Sequence, residues 1–161
     1  MHRFMKKRND SYYNGTLTQY AKELIKLGIG NGRVVKIGEI DKLIIEDLHK
    51  NGIVLSNVDV VVGQSTIFKY KNHPKMAKGA NIPIENYHFI EEAIQKPMHI
   101  YEDISKKELV YVYTHPYIEQ KVVKVVVHPN YKKHGKVSNL AKSWGIVQEE
   151  DMNGRQYRMI Q

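Results

Sequence analysis

MHIYEDISKKELVYVYTHPYIEQKVVKVVVH, Met98 to His128, decides the fold class. It holds three short runs of strand character: MHIYED, ELVYVYTH and KVVKVVVH. In the second, Leu109, Tyr111 and Tyr113 alternate with Val110 and Val112. In the third, Val123, Val125 and Val127 point one way, and Lys124 interrupts the other face. A period of two is the signature of a strand with two different faces. The joining segments are too short for crossover helices, so these strands are expected to pair antiparallel. A last run, RQYRMI, reads as a further strand.

Upstream the period changes. In TLTQYAKELIKLG, the residues Leu17, Tyr20, Ala21, Leu24 and Ile25 share a helical face. Thr16 and Gln19 have capping-box spacing, and Gly28 is a natural stop. DKLIIEDLHKNG places Leu43, Ile44 and Leu48 on one face and ends at Asn51-Gly52. VDVVV, after Asn57, is a short β-branched strand. PIENYHFIEEAIQKP reads as a third helix, with Pro83 at its start and Pro97 beyond its end. Helices first and strands afterwards imply an α+β domain: N-terminal helices packed on one face of a twisted antiparallel β-sheet. The other face, carrying Lys124 and tyrosines, is then open to a ligand.

The chain has 161 residues, which fits one domain over 16–161 preceded by a flexible basic arm, 1–15. Its hydrophobic content of 42% supports a true core. Formal net charge is +8 and the sequence pI about 9.5. That surplus suits a polyanion, most simply RNA or DNA, because phosphate contacts release condensed counterions. An anionic membrane surface fits the charge as well. No apolar run approaches the roughly 20 residues that span a bilayer, and the N-terminal stretch lacks the apolar core of a secretory signal. With no cysteine, disulfide scaffolds, thiolate metal sites and cysteine nucleophiles are excluded.

Two basic clusters hold the candidate chemistry. FKYKNHPKMAKG, Phe68 to Gly79, carries Lys69, Lys71, Lys75 and Lys78 around His73, with no acid. Pro74 biases His73 toward an extended backbone. If the segment is extended, Lys69, Lys71 and His73 lie on one face, where an anion would relieve their mutual repulsion. An imidazole there can give or take a proton near neutral pH. The same residues also read as a solvated charge run with an exposed loop histidine.

The second cluster, NYKKHGKVSNLAKSWG, carries Lys132, Lys133, His134, Lys136 and Lys142, with Ser138, Asn139 and Ser143. Hydroxyls and an amide beside cations can hold phosphate oxygens, and Tyr131 and Trp144 can stack on bases. The alternative is a polar hairpin loop with Trp144 anchored in the core. His128 ends the strand VVVHP near the sheet rim, where it reaches a substrate or is simply exposed. His99 to Asp103 matches no standard metal spacing, and GIGNG lacks the context of a nucleotide fingerprint. The scarcity of acids near the basic clusters argues against a multi-carboxylate magnesium site, so no metal and no cofactor is expected.

The order of a strand with VVVGQSTIFKYKNHP, a helix ending in EEAIQKP, the strand MHIYED, then ELVYVYTH and KVVKVVVHPNY, and last the loop KVSNLAKSWGIV resembles the phage-associated nucleases of the barnase–EndoU–colicin–RelE-like group. The likeness rests on Lys69, Lys71, Asn72, His73 and Pro74, on Ile94, Pro97 and Ile100, and on Asn139 and Ser143, and covers about 53–160. Members often carry threonine before the final strand. This chain has Ala141-Lys142-Ser143, which admits Lys142 beside Ser143. The resemblance implies metal-independent RNA cleavage by 2′-OH attack, in the cytoplasm of a bacterial host or target cell, as a phage effector or toxin. It implies His73 as base or acid, Lys69 and Lys71 on phosphate, and Asn139 and Ser143 orienting that phosphate. Lys75, Lys124, Lys132, Lys133, Lys136, Lys142 and Tyr131 would bind the strand, an mRNA or tRNA. An acidic immunity or antitoxin protein is the expected protein partner. The rival expectation is a non-catalytic nucleic-acid-binding or phage structural protein.

Overall fold

A computed structural model describes residues 12–75, 79–133 and 135–161. Most of the expected arm 1–15, together with Lys78 and His134, lies outside the described residues. Tyr12 bridges Val34, and the Tyr13 amide donates to the Val34 carbonyl at 2.7 Å.

The described residues form four α-helices and seven strands. Helix α1 spans Leu17–Leu27, β1 Val34–Glu39, α2 Lys42–Lys50, β2 Asp59–Gly63, α3 Gln64–Asn72 and α4 His88–Gln95. Strands β3 (His99–Asp103), β4 (Glu108–Thr114), β5 (Lys121–Lys133), β6 (Lys136–Gln148) and β7 (Tyr157–Met159) follow. One sheet holds all seven, in the order β1-β2-β6-β5-β4-β3-β7. The domain is α+β with helices packed on the sheet.

Local chemistry explains the helix ends. The Thr16 hydroxyl accepts from the Gln19 amide, and the Gln19 side chain accepts from the Thr16 amide. Gly28 closes α1 at φ 74°, a left-handed conformation that a Cβ would strain. Asp41 caps α2 through the Ile44 amide at 3.0 Å. The segment expected as one helix from Pro83 divides into a 3₁₀ turn, Ile84–Asn86, and α4.

The sheet departs from the expectation in one pairing. All neighbours are antiparallel except β2 and β6, which run parallel, Val60 beside Asn139 and Val61 beside Leu140. Short connections enforce antiparallel pairing only between consecutive strands. Here α3, α4 and three strands intervene and supply the crossover that a parallel pair needs.

Two corrections concern elements beside the site. QSTIFKYKN was expected as an extended entry and is instead α3. Its Thr66, Ile67 and Tyr70 are buried at helical spacing, so packing overrides a sequence rich in β-branched and aromatic residues. KVSNLAKSWGIV was expected as a loop and is instead the body of β6. Its alternation is broken because Val126 faces Ser143 while Val127 faces Ala141, leaving Lys142 as an extra residue in a bulge. VVKIGE, left unassigned from sequence, forms β1.

The two faces of the sheet differ. Ile37, Val62, Ala141, Trp144, Val125, Tyr111, Leu109 and Ile100 join the core, as does every buried apolar side chain of the four helices. Each fully buried Leu, Ile or Val there contributes roughly 1.5–3 kcal/mol of transfer free energy. Trp144 stacks on Tyr70 at 5.0 Å and meets Tyr87 edge-on at 5.3 Å, as the packing alternative required. Tyr111 belongs to this helix-covered face, whereas the opposite face carries Tyr101 and Tyr157. On that opposite face Tyr101, Val110, Val112, Val122 and Met152 form a small second cluster. Met152 comes from the 3₁₀ turn Glu149–Asn153, which covers only the β3–β4–β5 end. The remainder carries no α-helix among the described residues.

Candidate functional site

The helix-free face gathers its chemistry on three neighbouring strands. Antiparallel pairing sets Leu109 against Val127, so Glu108 at the start of β4 comes opposite His128 well along β5. The bulge in β6 turns Lys142 toward the same place. The Glu108 carboxylate forms an ion pair with the Lys142 ammonium, and its Oε2 lies 3.4 Å from His128 Nδ1. Glu108 is 4% exposed, while the His128 side chain is 37% exposed. A buried carboxylate thus backs an imidazole that solvent can reach. Asp103, the residue across from Glu108, is engaged elsewhere: its Oδ1 accepts from the Ser105 hydroxyl and the Lys106 amide.

Further cations converge along the β6 edge. Lys69 extends its Nζ to 3.5 Å from the Lys142 carbonyl, over the Tyr70 ring. Lys75 lays its stem against Gly145, where an added Cβ would come within 2.9 Å of the Lys75 Cε. Lys124, paired across the ladder with Gly145, donates to the Tyr157 hydroxyl at 2.9 Å. Burial lowers the pKa of Lys75 from the ordinary lysine value, and the charges of Lys124 and Lys69 lower it further. The segment is fixed to the strand by the Ile146 amide, which donates to the Ala80 carbonyl at 2.9 Å. Ser143 sits in this group and contacts the Tyr70 hydroxyl, which also accepts from the Trp144 amide.

Other expected site residues fall elsewhere. Lys69 and Lys71 do not share an extended face with His73. Two residues apart on a helix, the lysines diverge by about 200°, and His73 is the C-cap of α3, its amide donating to the Lys69 carbonyl at 2.8 Å. His73 and Lys71 are exposed and have no described side-chain partner.

Asn139 is 1% exposed and fully engaged. Its Nδ2 donates to the Asn57 and Asp59 carbonyls at 2.8 and 3.0 Å, and its Oδ1 accepts from the Asn130 amide at 3.1 Å. It stitches the entry of β2 to the second bulge of the β5–β6 pair. There Asn130 adopts φ 52° and donates through Nδ2 to the Val54 carbonyl. An amide so committed cannot turn to hold a phosphate without breaking three bonds. Lys132, Lys133 and Lys136 stand at the far end of the hairpin, with Tyr131 meeting the His128 ring edge-on at 5.4 Å.

Glu108 does not stand out in the sequence as a site residue. The available signal was geometric: hairpin pairing of ELVYVYTH with KVVKVVVH brings the first residue of one beside the last of the other. Among the described residues no three histidine or acidic side chains come together as metal ligands. Compared with family models, curated proteins and solved structures, the chain finds no match.

Proposed function

We propose that this protein is a metal-independent endoribonuclease of the barnase/RelE-like type, with its reacting groups on the helix-free face of the sheet. One observation carries the reading: Glu108, His128 and Lys142 meet on three adjacent strands within a field of lysines.

The chemistry follows from those groups. Glu108 facing Nδ1 favours the imidazole tautomer with its proton there, which leaves Nε2 able to accept one. His128 takes the proton from a ribose 2′-OH. The 2′-oxygen attacks the adjacent phosphorus, the P–O5′ bond breaks, and the leaving 5′-oxygen is protonated. The products are a 2′,3′-cyclic phosphate and a 5′-hydroxyl. Lys142 and Lys69 face the negative charge that builds on the phosphate, where preorganised cations act most strongly. The exposed side of His128 admits the water that protonates the leaving oxygen. His128 therefore replaces His73 as the histidine of this reading.

A chimeric oligonucleotide with a single ribose in a deoxyribose strand tests it, incubated in EDTA. Scission at the ribose alone, leaving a cyclic phosphate, is expected. His128→Ala should slow it by about 10²–10⁴-fold, the usual worth of general acid–base help. No scission, or scission of an all-deoxy strand, contradicts the reading. RNA binding that weakens with salt and is unchanged in His128→Ala, without cleavage, would mark a binding module instead.

A further inference from the structure

A cavity of about 700 Å³ opens on the same face, between β1, β2 and the outer end of β6. Val61, Leu140 and Tyr131 are among the residues that line it. Arg33, Lys133 and Lys136 also line it, all three are exposed, and none has an acidic partner among the described residues. Lys133 and Lys136 lie directly opposite each other in the ladder, an arrangement unfavourable for like charges unless an anion lies between them. Asp59 is the one acid among the cavity's residues, and it is occupied by the Tyr12 hydroxyl at 2.8 Å and Lys36 Nζ at 3.1 Å. The lining therefore combines apolar and aromatic surface with exposed cations. The cavity volume falls in the range that holds small organic ligands.

The cavity adjoins the reacting group. Leu140 is the ladder partner of His128, and the Tyr131 ring touches the His128 ring. We propose that this cavity is a nucleotide subsite. It takes one nucleoside monophosphate unit, with the base against Tyr131, Val61 and Leu140 and the phosphate among Arg33, Lys133 and Lys136. That the unit belongs to the RNA strand being cut at His128 rests on the ribonuclease reading. Recognition of a nucleotide does not.

The four ribonucleoside 3′-monophosphates and ribose 5-phosphate, titrated into the full chain, test this by calorimetry and amide chemical shifts. At least one nucleotide should bind and shift the Val61, Ser138 and Leu140 amides, with ribose 5-phosphate at least about tenfold weaker. Lys133→Glu with Lys136→Glu should weaken nucleotide binding about tenfold, and Ser138→Trp should abolish it by filling the space. No shift at those amides overturns the proposal, as does ribose 5-phosphate binding equally well, which marks a bare anion site.

A second arm follows RNA cleavage. A raised KM with Ser138→Trp supports a strand segment as occupant, whereas an unchanged KM overturns that identity in favour of a free nucleotide. Cleavage without nucleotide binding overturns the subsite alone. Nucleotide binding without cleavage overturns the ribonuclease reading alone.

Discussion

Asn139 and Glu108 reverse the roles their sequence contexts imply. Asn139 lies among lysines and serines, yet folding buries it and spends its amide on three backbone groups. Asn139→Ala strands those groups, each costing about 1–3 kcal/mol when buried without a partner. The expected outcome is a lowered denaturant midpoint with kcat per folded molecule little changed. A large loss of kcat at full stability would restore it to the site. Glu108 begins an apolar strand and gains its importance only from the neighbours that pairing delivers. Tyr111 offers a converse test. Its hydroxyl is buried with no partner among the described residues, and burial pushes its pKa well up. Tyr111→Phe removes a desolvation penalty, so stability should rise by about 1 kcal/mol in chemical denaturation. A loss of similar size would reveal a partner for the hydroxyl.

Among the elements, α1 and β3 to β5 were legible because local signals agree with the fold. A capping box, an apolar stripe and a terminal glycine mark α1, and clean alternation marks β4 and β5. Helix α3 is not legible: Thr66, Ile67 and Tyr70 favour strands intrinsically, and their joint burial, with Tyr70 stacked on Trp144, sets the helix. β6 was hidden by the bulge that turns Lys142 to the open face. The feature that obscured the strand also builds the site.

The β4–β5 connection carries its own pH dependence. His115 is 8% exposed, and its Nδ1 accepts from the Tyr117 and Ile118 amides, both at 3.1 Å. Protonation there would replace an acceptor with a third donor. Burial lowers the folded pKa of His115 below the unfolded value, near 6.5. The unfolded chain therefore binds the proton more readily. The contribution is present above about pH 6.5 and is lost as pH falls through the folded value. Melting temperature should decline across that window, and His115→Gln should flatten the decline. A decline of the same size in the variant would place its origin elsewhere.

Across the whole molecule, division of labour between the sheet's faces underlies the functional reading. One face packs four helices into the core, and the other gathers Lys75, Lys124 and Lys142, with Lys69 of α3 reaching the edge of β6. Lys69, Lys75, Lys124, Lys142 and Ser143 are all legible in the sequence, but there they centre on His73, because adjacency along the chain is visible in a sequence and adjacency across strands is not. If Lys69, Lys75, Lys124 and Lys142 contact phosphates, log affinity for single-stranded RNA should fall with log salt at a slope of about −2 to −3. A flat salt response would remove these lysines from the interface.

The most direct measurement is the single-turnover rate of RNA cleavage in EDTA for wild type, His73→Ala and His128→Ala, each verified as folded. His73→Ala is expected to cleave near the wild-type rate and His128→Ala to lose at least about 10²-fold. Wild-type cleavage by His128→Ala would contradict the role given to His128.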